Sequence, residues 1–352
     1  MSSSNATAGS STVLSPLRLK VLQRDKQSLD YLLRSGLAGG AAGCIAKTVV
    51  APLDRVKILF QTGNPEFQKF SGTWSGAFQA TKVIYASNGV RSLFQGHSAT
   101  LLRVFPYAAI KFVAYDQIHD YLMPTKESET GIRRFAAGAF AGTTSVLFTY
   151  PLELIRVRLA YDTRSSTSLS LRPSLLNTIS SIYREGNAPL PKPNAAAPTT
   201  IRVPPSRLFD LFPILKFYRG FNVTILGMVP YAGTSFLVWG SLQSHFFPRP
   251  DPKDPTTKPP PRTVLNLVLG AVSGATAQTV SYPFEVVRRR LQIGGLIRPT
   301  GWVGWGETVR DIWKRAGWRG FFVGLSIGYV KVVPMTAVSF ASWEGGKRLL
   351  GI

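Results

Sequence analysis

One pattern occurs three times in this chain of 352 residues and constrains its fold more than any other feature. It reads APLDRVK at 51–57, YPLELIR at 150–156 and YPFEVVR at 282–288. In each copy a proline is followed two residues on by an acid and five on by a base. Counting back nine and thirteen residues from Pro52, Pro151 and Pro283 reaches a glycine every time: Gly43 and Gly39, Gly142 and Gly138, Gly274 and Gly270. Five matched positions in three copies make the chain a triplicated unit, with copies 99 and then 132 residues apart. A second stretch of each copy is also in register. Pro106, Pro230 and Pro334 are each followed ten residues later by Asp116, Gly240 and Glu344.

The medium is set by the uncharged stretches. Residues 135–152, 220–247 and 263–284 contain no Asp, Glu, Lys or Arg. Each is long enough to cross a hydrocarbon layer of about 30 Å at 1.5 Å per residue. The threefold register extends this to six expected spans, at 30–61, 97–122, 131–161, 220–247, 263–292 and 321–350. Apolar residues at helical spacing predict short amphipathic helices at 74–86, 173–184 and 305–316, one per copy. The fold class is therefore all-α and membrane-embedded, in three pseudo-symmetric repeats. Expected boundaries are a tail at 1–29, repeats at 30–124, 131–247 and 262–351, and a Pro/Ala-rich insertion at 187–205 within the second. Mean hydropathy is only +0.08, so some spans must hold charges, which in a membrane mark function.

Those charges are the acids and bases of the threefold motif. A proline within a span removes a backbone hydrogen bond and kinks the helix. Three equivalent kinks allow three helices to converge and close one end of a central cavity. Acid and base stand three residues apart, on nearly one helix face. Six charges in a membrane need partners, and threefold symmetry supplies them between helices. The glycine pairs permit close helix approach.

The remaining composition excludes other classes. With 41 Lys+Arg against 18 Asp+Glu the net charge is +23, but the uncharged spans exclude a nucleic-acid binder. The single Cys44 excludes a disulfide framework, and three histidines leave little for a metal site. No Ser/His/Asp arrangement, P-loop or HExxH motif is present, so neither an enzyme nor a cofactor is expected.

The triple Pro-x-acid-x-x-base signature resembles that of the mitochondrial carrier family, over about residues 30 to 350. The companion motif, acid-Gly followed by aromatic-base-Gly, is present in degraded form: Asn88-Gly89 with Phe94-Gln95-Gly96, Glu185-Gly186 with Tyr218-Arg219-Gly220, and Ala316-Gly317 with Phe322-Val323-Gly324. The resemblance implies an inner-membrane transporter with both termini facing the intermembrane space and a matrix-side gate of three pairs: Asp54–Arg156, Glu153–Arg288 and Glu285–Lys57. Gln61 and Gln292, nine residues after their prolines, match the family's bracing glutamines, where copy two has Ala160. At the cytoplasmic end the family's aromatic-acid-x-x-base pattern gives Tyr115-Asp116 with His119 and Trp343-Glu344 with Lys347. Copy two has Gly240 and Gln243, so symmetry leaves only Glu344–His119 as an ion pair and implies a weak outer gate.

Between the gates, Arg103, Gly227 and Lys331 stand three residues before the even-span prolines. Two cations and a glycine suit an anionic ligand with a flat apolar part. Gly227-Met228 resembles the adenine-nucleotide carriers, and Tyr231 is placed to stack on a base. Lys47 resembles their phosphate-binding lysine, and Lys111 would add a further cation. Arg289, beside Arg288, either attracts phosphates or reaches lipid headgroups. The run YPFEVVRRRLQ and the long insertion are similar to the coenzyme A carriers and the related Graves disease carrier. The implied substrate is coenzyme A or a related adenine nucleotide, exchanged for an adenine nucleotide. The alternatives are ADP/ATP or ATP-Mg/phosphate carriage, a non-nucleotide anion carrier, or a passive channel. Residues 1–29 contain no EF-hand loop, which disfavours the ATP-Mg/phosphate type. Cardiolipin and other membrane lipids are the remaining expected partners, bound where Tyr218-Arg219-Gly220 starts a helix, and the chain is expected to be a monomer. The loop 162–219 has eight Lys/Arg against four in 248–262, which places the former in the matrix. Residues 1–24, basic and Ser-rich, faintly resemble a transit peptide. Peroxisomal carriers share the family's fold and also handle coenzyme A.

Overall fold

The structure, a computed structural model, describes residues 29–73, 75–125, 130–163, 174–185, 212–246, 262–297 and 303–351. The tail up to 28, most of the 162–219 loop and the whole 187–205 insertion lie outside the described residues. Among the described residues every regular element is helical.

The elements are α1 (Leu29–Thr62), α2 (Gly76–Leu93), α3 (His97–Leu122), α4 (Gly131–Tyr161), α5 (Leu175–Arg184), α6 (Phe221–Phe246), α7 (Arg262–Ile297), α8 (Trp305–Ala316), α9 (Leu325–Val330) and α10 (Val332–Leu350). Helices α1, α4 and α7 are the odd spans. The even spans are α3, α6 and the pair α9–α10. The sixth span passes from α9 to α10 through Lys331, whose backbone stays helical (φ −73°, ψ −19°). Five prolines (52, 106, 151, 230 and 283) lie inside their helices.

By length and composition alone three stretches are apolar enough to cross a membrane: Arg34–Thr62, Pro213–Phe246 and Trp305–Leu350. The other long helices complete the set of six through their threefold equivalence. Large apolar side chains such as Phe112, Phe140, Leu237 and Phe340 stand exposed on these helices, as a lipid-facing surface requires.

Packing follows the repeats. Each even span lies along the next odd span: α3 on α4, α6 on α7, and α10 on α1. The three odd spans meet one another evenly. Apolar cores sit at the end that follows the motif prolines. Ile182 of α5 packs with Leu154, Ile155 and Leu159 of α4 and with Ala99 of α3. Ile312 of α8 packs with Val286, Val287 and Leu291 of α7 and with Val223 of α6. Ile84 of α2 packs with Val56, Leu59 and Phe60 of α1 and with Ile327 of α9. The short helices thus line one end of the bundle, each with an apolar face inward, although α2 also leaves Phe78, Val83 and Tyr85 exposed.

The second glycine of each companion motif starts an even span. Gly96, Gly220 and Gly324 have φ of +82°, +80° and +85°, a conformation other residues adopt only with strain. A Cβ at Gly96 would also lie 2.8 Å from the Arg156 carbonyl oxygen. Of the −13 glycines, Gly39 seats the Trp343 ring and Gly270 that of Trp239.

Candidate transport site and gates

The kinks bring all six motif charges together at the proline-motif end. Arg156 Nη2 donates to Asp54 Oδ2 at 2.8 Å. Lys57 Nζ donates to Glu285 Oε1 at 2.9 Å and Oε2 at 3.2 Å. Arg288 contacts Glu153. Each pair joins two odd spans, so the three pairs form a ring. Glu153 is 1% exposed and Asp54 8%. Charges this deep are tolerated only when paired.

The two glutamines complete this layer. Gln61 Nε2 donates to Tyr282 Oη at 3.0 Å, and Gln292 Nε2 donates to Tyr150 Oη at 3.2 Å. Each tyrosine hydroxyl in turn donates to a backbone carbonyl beside an even-span glycine: Tyr282 to Val323 at 3.0 Å and Tyr150 to Arg219 at 2.7 Å. Tyr150 and Tyr282, the residues just before the motif prolines, were missing from the sequence-derived site. A signal for them exists in the chain. Where one copy has a glutamine at +9, the copy it meets has a tyrosine at −1, and where one has Ala160 the other has Ala51. At that third seam the structure has a small cleft bordered by Ala51, Gln95, Gly96, His97 and Ala160.

The cations expected to bind a ligand sit against this ring. Arg103 Nη1 donates to Glu153 Oε2 at 3.0 Å, and Lys331 Nζ to Asp54 Oδ1 at 2.8 Å. Arg289 Nη1 donates to Glu153 Oε1 and to Gln292 Oε1, both at 2.9 Å. Lys47 Nζ lies 3.5 Å from Met335 Sδ on α10. Gly227 faces α7, where a Cβ would come within 2.8 Å of Phe284 Cβ. Met228 turns the other way, its Cε against Gly142 of α4. Tyr231 and Lys111 are exposed.

At the far end, in this state, Glu344 is not paired with His119. Its ion pair is with Lys347 of its own helix at 2.7 Å, and Lys347 lies over the Trp343 ring. His119 Nδ1 is 3.6 Å from Asp120 Oδ1, and its ring packs on Tyr115. Asp116 is exposed. The physical reason is local: the acids and bases of this end take neighbours on their own helices, Lys347 for Glu344 and Asp120 for His119.

A further buried cluster went unrecognised in the sequence. Arg158, two residues after the second motif's base, is bidentate to Glu185, with Nη1 on Oε1 and Nη2 3.3 Å from Oε2. Arg219 Nη2 reaches Glu185 Oε2 at 3.2 Å, and Lys216 Nζ donates to the Glu185 carbonyl at 2.5 Å. The cluster ties the residue before the 186–211 segment to those after it. Copies one and three have Asn88 and Ala316 in place of Glu185.

Among the described residues no group of acids, histidines and cysteine is placed to hold a metal ion. The arrangement pairs a ring of breakable ion pairs with a belt of cations, and it has no nucleophile–base pair in the belt. That is the equipment of a passage for an anion.

Comparison with known proteins agrees. The mitochondrial carrier protein family model matches residues 29–126, 127–190 and 260–352. A mitochondrial carrier protein of Saccharomyces cerevisiae is 45% identical, covering 93% of each chain. Solute carrier family 25 member 16 of Homo sapiens is 37% identical over 89% of this chain and 87% of its own. Mitochondrial carrier protein CoAc2 of Zea mays is 33% identical over 92% of this chain and 88% of its own. The chain belongs to the mitochondrial carrier family, whose members are transporters rather than enzymes, and is a multi-pass protein of the mitochondrial inner membrane.

Proposed function

We propose that this carrier moves coenzyme A or a related adenine nucleotide through its central cavity by alternating access, in exchange for an adenine nucleotide. The observation that carries the reading is the belt of cations against the ion-pair ring. Lys47, Arg103, Arg289 and Lys331 come from four different spans, and beside them the equivalent place on α6 is Gly227. Several phosphates match the cations, and Gly227, packed against Phe284 of α7, adds no side chain of its own to the belt. The coenzyme A carrier names among the maize relatives fit. Asp54, Lys57, Glu153, Arg156, Glu285 and Arg288, braced by Gln61 and Gln292, act as the matrix gate. Asp116, His119, Glu344 and Lys347 serve the cytoplasmic gate in the opposite state. Both termini then face the intermembrane space.

Cardiolipin is the lipid partner we assign to the cleft where Tyr218, Arg219 and Gly220 meet Val303 and Trp305. The first turn of α6 points its amide groups there, which favours phosphate.

The test is uptake into proteoliposomes of labelled coenzyme A and of malate, by wild type and by Gly227→Arg. The wild type takes up coenzyme A and not malate, and Gly227→Arg, checked for folding by its thermal midpoint because a Cβ there meets Phe284 Cβ at 2.8 Å, stops coenzyme A uptake. Equal uptake of malate by the wild type, or unimpaired coenzyme A uptake by Gly227→Arg, would refute the nucleotide reading.

A further inference from the structure

The three odd spans share one further layer of side chains. Seven residues before each ring acid, about two helical turns along the same face, stand Lys47, Val146 and Gln278. Lys47 already belongs to the belt, and Val146 is buried. Gln278, part-buried on α7, is the member of this layer that the gate and the belt leave unused. Its Nε2 lies over Gly328 of α9, where a Cβ would come within 2.6 Å of it, and Lys57 Nζ stands 3.5 Å from the same point. Gly328 thus admits the amide between α7 and α9, three residues before Lys331. The polar groups around it are taken. Lys57 is bonded to Glu285, and the Thr279 and Tyr329 hydroxyls are bonded to one another. Ser281 Oγ donates to the Gln278 backbone carbonyl at 3.4 Å, but among the described residues the side-chain amide of Gln278 has no hydrogen-bond partner. Gln61 and Gln292, by contrast, both hold the brace tyrosines.

We propose that Gln278 reads the base of the ligand: its amide pairs with the edge of adenine, the side-chain carbonyl accepting from the exocyclic amino group and the NH2 donating to the neighbouring ring nitrogen. This deepens the transport reading and rests on it for the presence of a nucleotide. The chemistry is that of one donor and one acceptor side by side, which is what the edge of a 6-aminopurine requires. The cations of the belt hold phosphates and are blind to the base. Stacking on an aromatic ring is equally tolerant, since every base has a π-face. Telling adenine from another purine therefore needs an uncharged donor–acceptor pair, and in this layer Gln278 is the residue that has one. A part-buried amide without a partner gains from the matching edge and discriminates against a wrong one, because a mismatch leaves polar groups unpaired. The layout suits a nucleotide. Lys331, three residues on from Gly328, and Lys47, at the position of Gln278 in the first copy, take phosphates while the base lies against α7 and α9.

The test is binding of ADP and of inosine diphosphate by the full-length purified carrier. The two probes have the same sugar and phosphates and differ in the base, where a carbonyl oxygen replaces the amino group. The wild type binds ADP about tenfold more tightly, within the range of one paired base contact. Gln278→Leu weakens ADP to the level of inosine diphosphate and moves inosine diphosphate little, so the preference is lost rather than affinity at large. Gly328→Ala drives the amide from its seat and reduces the preference with Gln278 still in place, which keeps the question decidable if Gln278→Leu does not fold. A purely packing role for Gln278 would lower the thermal midpoint and leave the preference intact, and that result overturns the proposal. Equal binding of the two probes by the wild type also overturns it and leaves the nucleotide reading standing. Binding of neither probe refutes the nucleotide reading, and the base reading with it.

Discussion

Arg158 is the residue whose surroundings leave it least freedom. It is 2% exposed, its guanidinium is taken up by Glu185, and its Nε donates to the Gln292 carbonyl at 3.2 Å. Gly295 lies so close to the Glu185 carboxylate that a Cβ there would come within 2.3 Å of it. A buried charge stripped of its partner is costly, whereas an exposed pair contributes little. Glu185→Gln leaves Arg158 and Arg219 facing an uncharged amide. It is expected to cost about 3–5 kcal/mol of stability, read as a fall in the thermal midpoint of the purified carrier. Lys314→Ala, on the exposed face of α8, serves as the control and shifts it little. Equal shifts would mean that the cluster is not what ties the ends of the 186–211 segment together. The acid was visible in the sequence as a companion-motif residue. Its partner was not, because nothing in the spacing of Arg158 separates it from the other arginines that follow motif prolines.

Among the elements, the odd spans differ in how firmly they are tied. The α1–α7 seam has Gln61–Tyr282 and the α4–α7 seam has Gln292–Tyr150. The α1–α4 seam has two alanines and a cleft, although Asp54–Arg156 crosses it and Arg55 Nη2 donates to the Asp162 carbonyl at 2.9 Å. Each tyrosine also ties an even-span start through its hydroxyl, so a brace couples three elements rather than two. Ala51→Tyr together with Ala160→Gln supplies the absent brace within the cleft. The double variant is expected to raise the thermal midpoint without ligand and to slow exchange in proteoliposomes, because one more bond must break per cycle. The single changes lack a partner and gain little. Faster exchange in the double variant would show that this seam does not part during transport. The glutamines were legible from the proline count alone. The tyrosines become legible only once it is known which copy meets which, since the covariation runs between copies.

For the whole molecule, the question is how far threefold symmetry holds. It holds for the six spans, the kinks and the three ion pairs, and it fails in how many cations each acid shares. This asymmetry predicts unequal rescue by charge exchange. Lys57→Glu with Glu285→Lys reverses the pair in which, among the described residues, the acid has one ion-pair partner, and is expected to recover much of the uptake lost in either single variant. Glu153→Arg with Arg288→Glu leaves the new arginine against Arg103 and Arg289, so recovery is expected to be small. Coenzyme A uptake by the four single and two double variants checks this, and equal recovery would mean that the shared cations do not matter to the gate. The sequence by itself determined the triplication, the all-α membrane class, the six spans and the residues of the ring. A repeated pattern is an alignment within one chain, and the period of a helix converts spacing into faces. Only the tertiary structure decided that Arg103, Arg289 and Lys331 bond to the gate's own acids, that Arg158 clamps Glu185, and that Glu344 turns to Lys347 instead of His119. Those contacts depend on a few ångströms of tilt and rotation between kinked helices. Symmetry specifies which helices face one another, but not which end of the bundle is drawn together.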